Sequence, residues 1–130
     1  MNRQRITVAA IAFAMAAVPA AALVATSANA QAVPVAELFQ KKCMTCHGPT
    51  AAPNLKGPAL KGIVGKKIAS QAGYAYSDGL KAKSSMSWTA ANLDAYLAKP
   101  KDFAPGTKMI PSVGDPAQRK AIIDHMKTLK

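Results

Sequence analysis

The chain contains few residues of several kinds, and each shortage excludes a class of protein. Two cysteines in 130 residues cannot build a scaffold held by several disulfides. Charged residues make up 18% of the chain and apolar residues 50%, which excludes a fully disordered protein. Nine prolines and eight glycines follow no fixed period, so collagen-like and solenoid repeats are excluded as well. We therefore expect one domain, with room for a short additional tail.

Charge is missing from a long stretch near the N-terminus. Arg3 and Arg5 are followed by a run that is almost purely Ala, Val, Ile, Leu, Phe and Met, and this run ends in Ala28-Asn29-Ala30. A positive start, an apolar middle and a small-x-small ending are typical of a secretory signal peptide. The sequence thus predicts a cleaved leader over residues 1–30, followed by a domain of residues 31–130.

The alternative for this stretch is a membrane anchor that is never removed, since about twenty apolar residues can span a bilayer. Pro19 and the Ala-x-Ala ending favour cleavage before Gln31. Cleavage leaves 15 of the 17 basic residues against 6 acidic ones, so the exported domain has a net charge of +9. We expect a periplasmic protein, with a membrane-anchored protein facing the periplasm as the alternative.

Both cysteines lie in the segment Cys43-Met44-Thr45-Cys46-His47. In an exported chain, Cys-x-x-Cys-His is the sequence signal for covalent attachment of a c-type haem. Positions three apart lie on one face of a helix, so both thiols can add to the two vinyl groups along one haem edge. His47 follows at once and can turn its imidazole onto the iron as a ligand. The sequence therefore predicts one covalently bound haem c.

Three other uses of the same residues are possible. A disulfide between Cys43 and Cys46 suits an oxidising compartment but leaves His47 unexplained. A thioredoxin-like dithiol requires a preceding strand, whereas the residues before the motif have a helical pattern. A zinc site that adds His125 lacks the second paired ligand group of structural zinc. Haem attachment accounts for all three residues and requires no further paired ligand group.

The periodicity of the domain predicts helices and loops. The expected helices are Ala36 to His47, a turn or two within Ser77–Lys83, Ala90 to Lys99 with Thr89 as N-cap, and a last helix starting at Asp115-Pro116. Pro100 ends the third of these, and residues 102–114 are expected to form a loop. Because no alternating strand pattern is present, we predict an all-α fold with long loops.

An electron carrier needs a second iron ligand, and a thioether opposite histidine raises the reduction potential. The candidates in the domain are Met44, Met86, Met109, Met126 and His125. Met44 lies inside the attachment motif, while Met126 and His125 belong to the last helix, where packing is the simpler interpretation. Met86 and Met109 remain, and Met109 has the advantage of a turn defined by proline and glycine.

Several further motifs accompany the attachment segment. They are Phe39-x-x-x-Cys43, Gly57-Pro58-x-Leu60-x-Gly62-x-x-Gly65, Gly73-Tyr74-Ala75-Tyr76-Ser77-Asp78, Trp88, Tyr96-Leu97-x-x-Pro100-Lys101 and Pro105-Gly106-Thr107-Lys108-Met109-Ile110. With these motifs the chain resembles the class I cytochromes c, especially the branch of bacterial cytochrome c2 and mitochondrial cytochrome c. The resemblance runs from about Val35 to Lys130.

The resemblance implies the class I cytochrome c fold, in which three main helices, short helices and long loops wrap around one haem. It implies that Cys43 and Cys46 carry the thioethers. It implies that His47 and Met109 are the axial ligands of the iron.

Further roles are implied around the haem. The backbone carbonyl of Pro58 is expected to accept a hydrogen bond from the histidine ligand and so to fix its orientation. Tyr76 and Trp88 are expected to hydrogen-bond the haem propionates. Tyr96 and Thr107 are expected to lie on the methionine side.

The chain departs from the family pattern at a few positions. Lys66 stands where the family often has Arg, and a lysine cannot make the same forked contact to a propionate. The segment between Tyr76 and Trp88 is one residue longer than usual, and His125 stands where an aromatic residue is common. These departures leave the predicted iron ligands unchanged.

Lysines are frequent near the haem motifs. They are Lys41, Lys42, Lys56, Lys61, Lys66, Lys67, Lys99, Lys101 and Lys108. As a set they suggest a positive ring around an exposed haem edge, which steers fast, salt-sensitive encounter with acidic redox partners. The same charge allows peripheral contact with an anionic membrane surface. No nucleic-acid partner is expected, because the chain is predicted to be exported and has no groove-reading motif.

These observations predict a soluble, monomeric, monohaem electron carrier that is not an enzyme. The resemblance implies a cytochrome bc1 complex as electron donor and a terminal oxidase or a photosynthetic reaction centre as acceptor. Two alternatives stay open: a membrane-anchored subunit of a respiratory complex, and a haem peroxidase or gas-binding protein if Met109 is easily displaced.

Overall fold

Five α-helices and one π-helical turn form the helical structure of the computed structural model, which describes residues 34–48 and 56–130. They are α1 (Val35–Phe39), the π-helical turn (Gln40–Met44), α2 (Asp78–Lys81), α3 (Ala90–Ala98), α4 (Pro100–Phe103) and α5 (Pro116–Thr128). The predicted all-α class is confirmed, with one isolated antiparallel bridge, Lys67 to Ser87, in the described ranges. The predicted leader and its cleavage site lie outside the described residues.

The N-terminal helical segment changes its winding as it approaches the attachment motif. After α1, the backbone widens into the π-helical turn, and π turns of this kind occur frequently at functional sites. The backbone N–H groups of Cys46 and His47 then both donate to the carbonyl of Cys43, at 3.1 and 2.9 Å. The helical segment predicted up to His47 therefore ends in a tight turn, which holds Cys46 and His47 close to the backbone of Cys43.

The predicted caps of the two longest helices are present. Thr89 Oγ1 accepts a hydrogen bond from the backbone N–H of Asn92 at 3.2 Å, which starts α3. Asp115 Oδ1 accepts from the N–H of Ala117 at 2.8 Å, with Pro116 at the first position of α5. Both helices therefore begin where the sequence predicts.

The prediction that residues 102–114 form a loop is wrong at its start, because α4 covers Pro100–Phe103. Pro100 ends α3, but its fixed φ also suits the first position of a helix, where no N–H partner is needed. The N–H groups of Phe103 and Ala104 donate to the carbonyls of Lys99 and Pro100, at 3.0 and 2.9 Å. One proline thus ends a helix and begins another.

The apolar faces of α1 and α3 pack against α5 and form the core. Its most buried side chains include Phe39, Leu93, Ile122 and Ile123. The ring of His125 lies 4.8 Å from the ring of Phe39, so this histidine packs between α1 and α5. Within the described part of the chain, no helix combines the length and the apolar character needed to cross a membrane.

Candidate functional site

A cavity of about 320 Å³ opens between the attachment motif, α3 and the loop before α5. Its lining includes all nine residues that the sequence assigns to a haem site: Cys43, Cys46, His47, Pro58, Tyr76, Trp88, Tyr96, Thr107 and Met109. Most of the other lining side chains are apolar, such as Leu60, Ile63 and Leu97. The fold therefore brings together residues that are up to 66 positions apart between Cys43 and Met109.

The cysteines are placed by the turn that ends the first helical segment. Cys43 is buried and Cys46 partly buried, and both have free thiols. Burial raises the pKa of Cys43 to about 11. A dithiol oxidoreductase requires the opposite, a lowered thiol pKa. The raised pKa of Cys43 therefore disfavours the dithiol alternative, and both thiols lie at the cavity wall.

His47 is oriented by one short hydrogen bond. Its Nδ1 lies 2.7 Å from the carbonyl oxygen of Pro58. Since a carbonyl can only accept, Nδ1 carries the hydrogen, and the lone pair of Nε2 stays available for a metal. Burial lowers the pKa of His47, an effect opposed by the bond to Pro58. The neutral imidazole that an iron ligand requires is thus the favoured form.

Gly57 makes room for this imidazole. A Cβ at Gly57 would lie 2.5 Å from Cε1 and 2.6 Å from Nδ1 of His47, closer than any side chain can approach. The N–H of Gly57 donates to the carbonyl of Cys46 at 2.9 Å, which fixes the backbone in this position. A glycine is therefore required beside the ring, a role that the Gly-Pro motif alone does not reveal.

Met109 also lines this cavity and is partly buried. The hydroxyls of Tyr96 and Thr107 share a buried hydrogen bond of 2.6 Å. Thr107 Oγ1 also accepts from the backbone N–H of Met109 at 3.3 Å. Met86, the other candidate left open by the sequence, is 38% exposed and does not line the cavity. Of the two, Met109 alone has access to the cavity.

Trp88 and Tyr96 belong to an aromatic cluster behind the cavity. Their ring centroids are 5.2 Å apart, and Phe103 of α4 packs against both, at 6.0 and 5.5 Å. The backbone N–H of Trp88 donates to the carbonyl of Lys66 at 2.8 Å, which ties the tryptophan to the loop that contains Lys66. The side chain of Lys66 itself is exposed and does not line the cavity.

Ser77 is a site residue that the sequence did not single out. It lines the cavity next to Tyr76, and its buried Oγ has no hydrogen-bond partner within the described residues. A buried hydroxyl without a partner is uncommon and requires an explanation. The only sequence signal was its place inside the Gly73–Asp78 motif.

These residues fit a haem. Two thiols three positions apart, an imidazole with a free nitrogen and a thioether line the same cavity and form the donor set of c-type ligation. The apolar lining suits a porphyrin, and the unpartnered hydroxyl of Ser77 is available to a polar substituent.

Three lysines surround the mouth of this cavity, namely Lys42, Lys56 and Lys108. Lys108 Nζ donates to the carbonyl of Ala75 at 2.6 Å, and the hydroxyl of Tyr74 donates to the carbonyl of Lys56 at 2.9 Å. Ile110 is 76% exposed at the same edge. At the mouth, one exposed apolar side chain therefore lies among positive charges.

The six acidic residues of the chain are all described, and they are engaged elsewhere. Five form ion pairs, Glu37 with Lys41, Asp78 with Lys81, Asp94 with Arg119, Asp102 with Lys99, and Asp124 with Lys120 and Lys127, while Asp115 caps α5. Within the described residues, none pairs with the three lysines of the mouth. The positive charge of these three lysines is therefore not compensated by any carboxylate of the described residues.

Comparison with known proteins gives a consistent result. The family model "Cytochrome c" matches residues 32–130. The cytochrome c2 of Rhodomicrobium vannielii is 41% identical over 118 residues, covering 88% of this chain and 93% of the relative. The cytochrome c of Ginkgo biloba is 38% identical over 93 residues, covering 70% and 81%.

Solved structures resemble this fold as well. Cytochrome cH from Methylobacterium extorquens is 41% identical with a TM-score of 0.63, covering 72% of this chain and 94% of the other. Ferricytochrome c2 from Rhodopseudomonas palustris is 37% identical with a TM-score of 0.65, covering 74% and 96%.

Proposed function

The chain belongs to the cytochrome c family, whose members carry electrons on one covalent haem c, and we propose that the cavity residues hold that haem. Cys43 and Cys46 form the two thioethers. His47 and Met109 are the two axial ligands. The observation that carries the proposal is that a neutral His47 with a free Nε2 and the thioether of Met109 line the same cavity.

The bound haem supplies an iron that exchanges one electron between its ferrous and ferric forms. His47 and Met109 would both hold the iron of this haem, which would leave no iron site for a substrate. The carbonyl of Pro58 holds the imidazole, and Thr107 holds the segment that bears the thioether. These hydrogen bonds would keep both side chains in place in either oxidation state, which suits a carrier rather than an enzyme.

The polar groups near Tyr76 are suited to the haem propionates. Tyr76 and Trp88 line the cavity, and Ser77 adds a buried hydroxyl without a partner. A buried carboxylate requires such donors. We assign all three to propionate binding, with the hydroxyl of Ser77 as the addition to the two residues that the sequence predicted.

The partners of the carrier are acidic proteins that dock at the cavity mouth. The support is the three lysines at the mouth and the engagement of all six carboxylates elsewhere. A cytochrome bc1 complex as donor fits this surface, with a terminal oxidase or a photosynthetic reaction centre as acceptor. The protein works as a soluble monomer in the periplasm after cleavage before Gln31.

The ligation and the redox function are tested on the exported protein. We expect haem to stay with the chain on a denaturing gel, a reversible one-electron titration, and no carbon monoxide binding at neutral pH. Haem that separates from the chain would contradict thioethers at Cys43 and Cys46. Ready carbon monoxide binding would indicate an open iron site and a catalytic or gas-binding role instead.

Cleavage of the leader is tested by N-terminal sequencing of the exported protein. A sequence that starts at Gln31 supports cleavage, whereas a retained leader supports the membrane-anchored alternative.

The docking surface is tested by reversing one charge. Lys108→Glu at the mouth is expected to slow electron transfer from a purified cytochrome bc1 complex about three- to tenfold at low salt, an effect that vanishes at high salt. Lys120→Glu makes the same change in net charge on α5, outside the cavity lining, and serves as the control. Equal effects of both variants would show that net charge, and not the mouth, sets the rate.

A further inference from the structure

We propose that Arg119 is a positioning residue for Met109, which it controls by anchoring the end of the Met109 loop (residues 104–114). The inference rests on the proposed function, because it concerns the ligand that the loop carries. Arg119 does not line the cavity, and none of the sequence motifs includes it.

The side chain of Arg119 is 11% exposed and has three short polar contacts. Its Nε donates to Asp94 Oδ1 of α3 at 2.7 Å. Its Nη1 donates to the backbone carbonyls of Val113 and Gly114, both at 2.9 Å. One guanidinium on α5 therefore joins α3 to the last two residues of the Met109 loop.

The loop needs such an anchor at this end. Its first half is fixed by the hydrogen bond of Thr107 to Tyr96, before Met109. Beyond Met109, residues 110–112 are exposed, so their side chains bury little surface that could hold the chain. The N–H of Val113 donates to the carbonyl of Leu97 at 2.8 Å, and the contacts of Arg119 follow directly.

The geometry suits arginine and no other residue. A guanidinium has five donors in a planar fork, so it can bind a carboxylate and two carbonyls at once. A lysine at this position keeps the charge opposite Asp94 but offers a single nitrogen on a flexible stem. Hydrogen bonds from charged groups are also stronger than those between neutral groups.

Displacement of Met109 from the cavity requires the loop to open locally, and local opening depends on the contacts that must break. A movement of Val113 and Gly114 breaks both carbonyl contacts of Arg119. Arg119 therefore sets how often the thioether leaves, although it touches neither the cavity nor Met109.

The test compares Arg119→Gln and Arg119→Lys with Ile123→Val in the haem-loaded, full-length protein. Ile123 is a buried residue of α5, and its loss of one methyl group lowers global stability without removing any of these hydrogen bonds. The probes are the rate at which imidazole binds the ferric protein, the sulfur-to-iron charge-transfer band, and hydrogen exchange of the amides of residues 107–113.

We expect Arg119→Gln to speed imidazole binding about tenfold or more, since one hydrogen bond from a charged group is worth about a factor of ten in an opening equilibrium. Arg119→Lys should lie in between, and hydrogen exchange should rise in the loop and not in α1. Ile123→Val should change imidazole binding less than twofold, because it lowers global stability without removing any contact that holds the loop.

Two results separate the failure of this inference from that of the proposed function. If the unmodified protein has the charge-transfer band but Arg119→Gln binds imidazole no faster than Ile123→Val, the role of Arg119 is refuted and Met109 ligation stands. If the unmodified protein lacks the band, Met109 is not the ligand, and both proposals fail.

Discussion

The two faces of the cavity are held in different ways. The His wall, made of His47, Gly57 and Pro58, is fixed by contacts between residues at most eleven positions apart. The Met wall, the loop of residues 104–114, is held by side chains from elsewhere in the chain, Tyr96 of α3 and Arg119 of α5. One wall is a local structure and the other depends on the assembled fold.

This difference indicates which of the two proposed ligands is the more labile. Local opening needs the least free energy where few buried contacts hold a segment. The His wall joins buried backbone, a close glycine contact and, in the proposed function, two covalent bonds to the haem. The Met wall instead includes Ile110, 76% exposed, next to Met109. We therefore expect exogenous ligands to replace Met109 and not His47.

The largest predicted effect breaks the His wall. Gly57→Ala places a Cβ within 2.6 Å of the imidazole of His47, so the ring or the backbone must shift. We expect a loss of about 3 kcal/mol in the free energy of unfolding, at the upper end for overpacking. Chemical denaturation of the haem-loaded protein measures this loss.

The control is Gly114→Ala, which has open space for its Cβ and should change the free energy of unfolding by less than about 0.5 kcal/mol. Similar results for both would remove the proposed role of Gly57.

The next effect concerns the Met wall. Thr107→Val leaves the buried hydroxyl of Tyr96 without its partner, which should cost about 2 kcal/mol of stability. Tyr96→Phe removes the other hydroxyl, leaves Thr107 bonded to the N–H of Met109, and should cost about 1 kcal/mol.

The same pair carries a prediction about protonation. Burial raises the pKa of Tyr96, and the hydrogen bond with Thr107 opposes this rise. Thr107→Val should therefore raise the pKa of Tyr96 further, as measured by ultraviolet titration of the tyrosinate. A lower pKa in the variant would contradict the contact.

The smallest effect tests the link between the two walls. The hydroxyl of Tyr74 donates to the carbonyl of Lys56 on the His side, and Lys108 Nζ lies 5.6 Å from the centre of its ring. Tyr74→Phe removes the hydrogen bond but keeps the ring. Because the bond is exposed, we expect a loss of about 0.5 kcal/mol in thermal or chemical unfolding. A loss above about 2 kcal/mol in the free energy of unfolding would show that the His wall and the Met wall are coupled, and would contradict their separate stabilisation.

The same contrast explains what the sequence could predict. Cys43, Cys46 and His47 form one contiguous motif, so their chemistry can be inferred without a fold. The residues alone narrowed the second ligand to Met86 or Met109, and the resemblance to a family favoured Met109. The structure adds that Met86 does not line the cavity.

Two other residues, Arg119 and Ser77, have little or no signal in the sequence. Arg119 acts through Asp94, which lies 25 positions away, and through two backbone carbonyls, which carry no side-chain identity. Ser77 is defined by a buried oxygen whose direction depends on the folded loop. The start of α4 was missed because Pro100 is compatible with both a helix end and a helix beginning.

The most direct test of the account is the optical spectrum of the exported ferric protein beside Met109→Ala and Met86→Ala. We expect a sulfur-to-iron charge-transfer band in the unmodified protein and in Met86→Ala, and its loss in Met109→Ala together with carbon monoxide binding to the reduced form. A band that persists in Met109→Ala, or disappears in Met86→Ala, would contradict the assignment of Met109 as the ligand that faces His47.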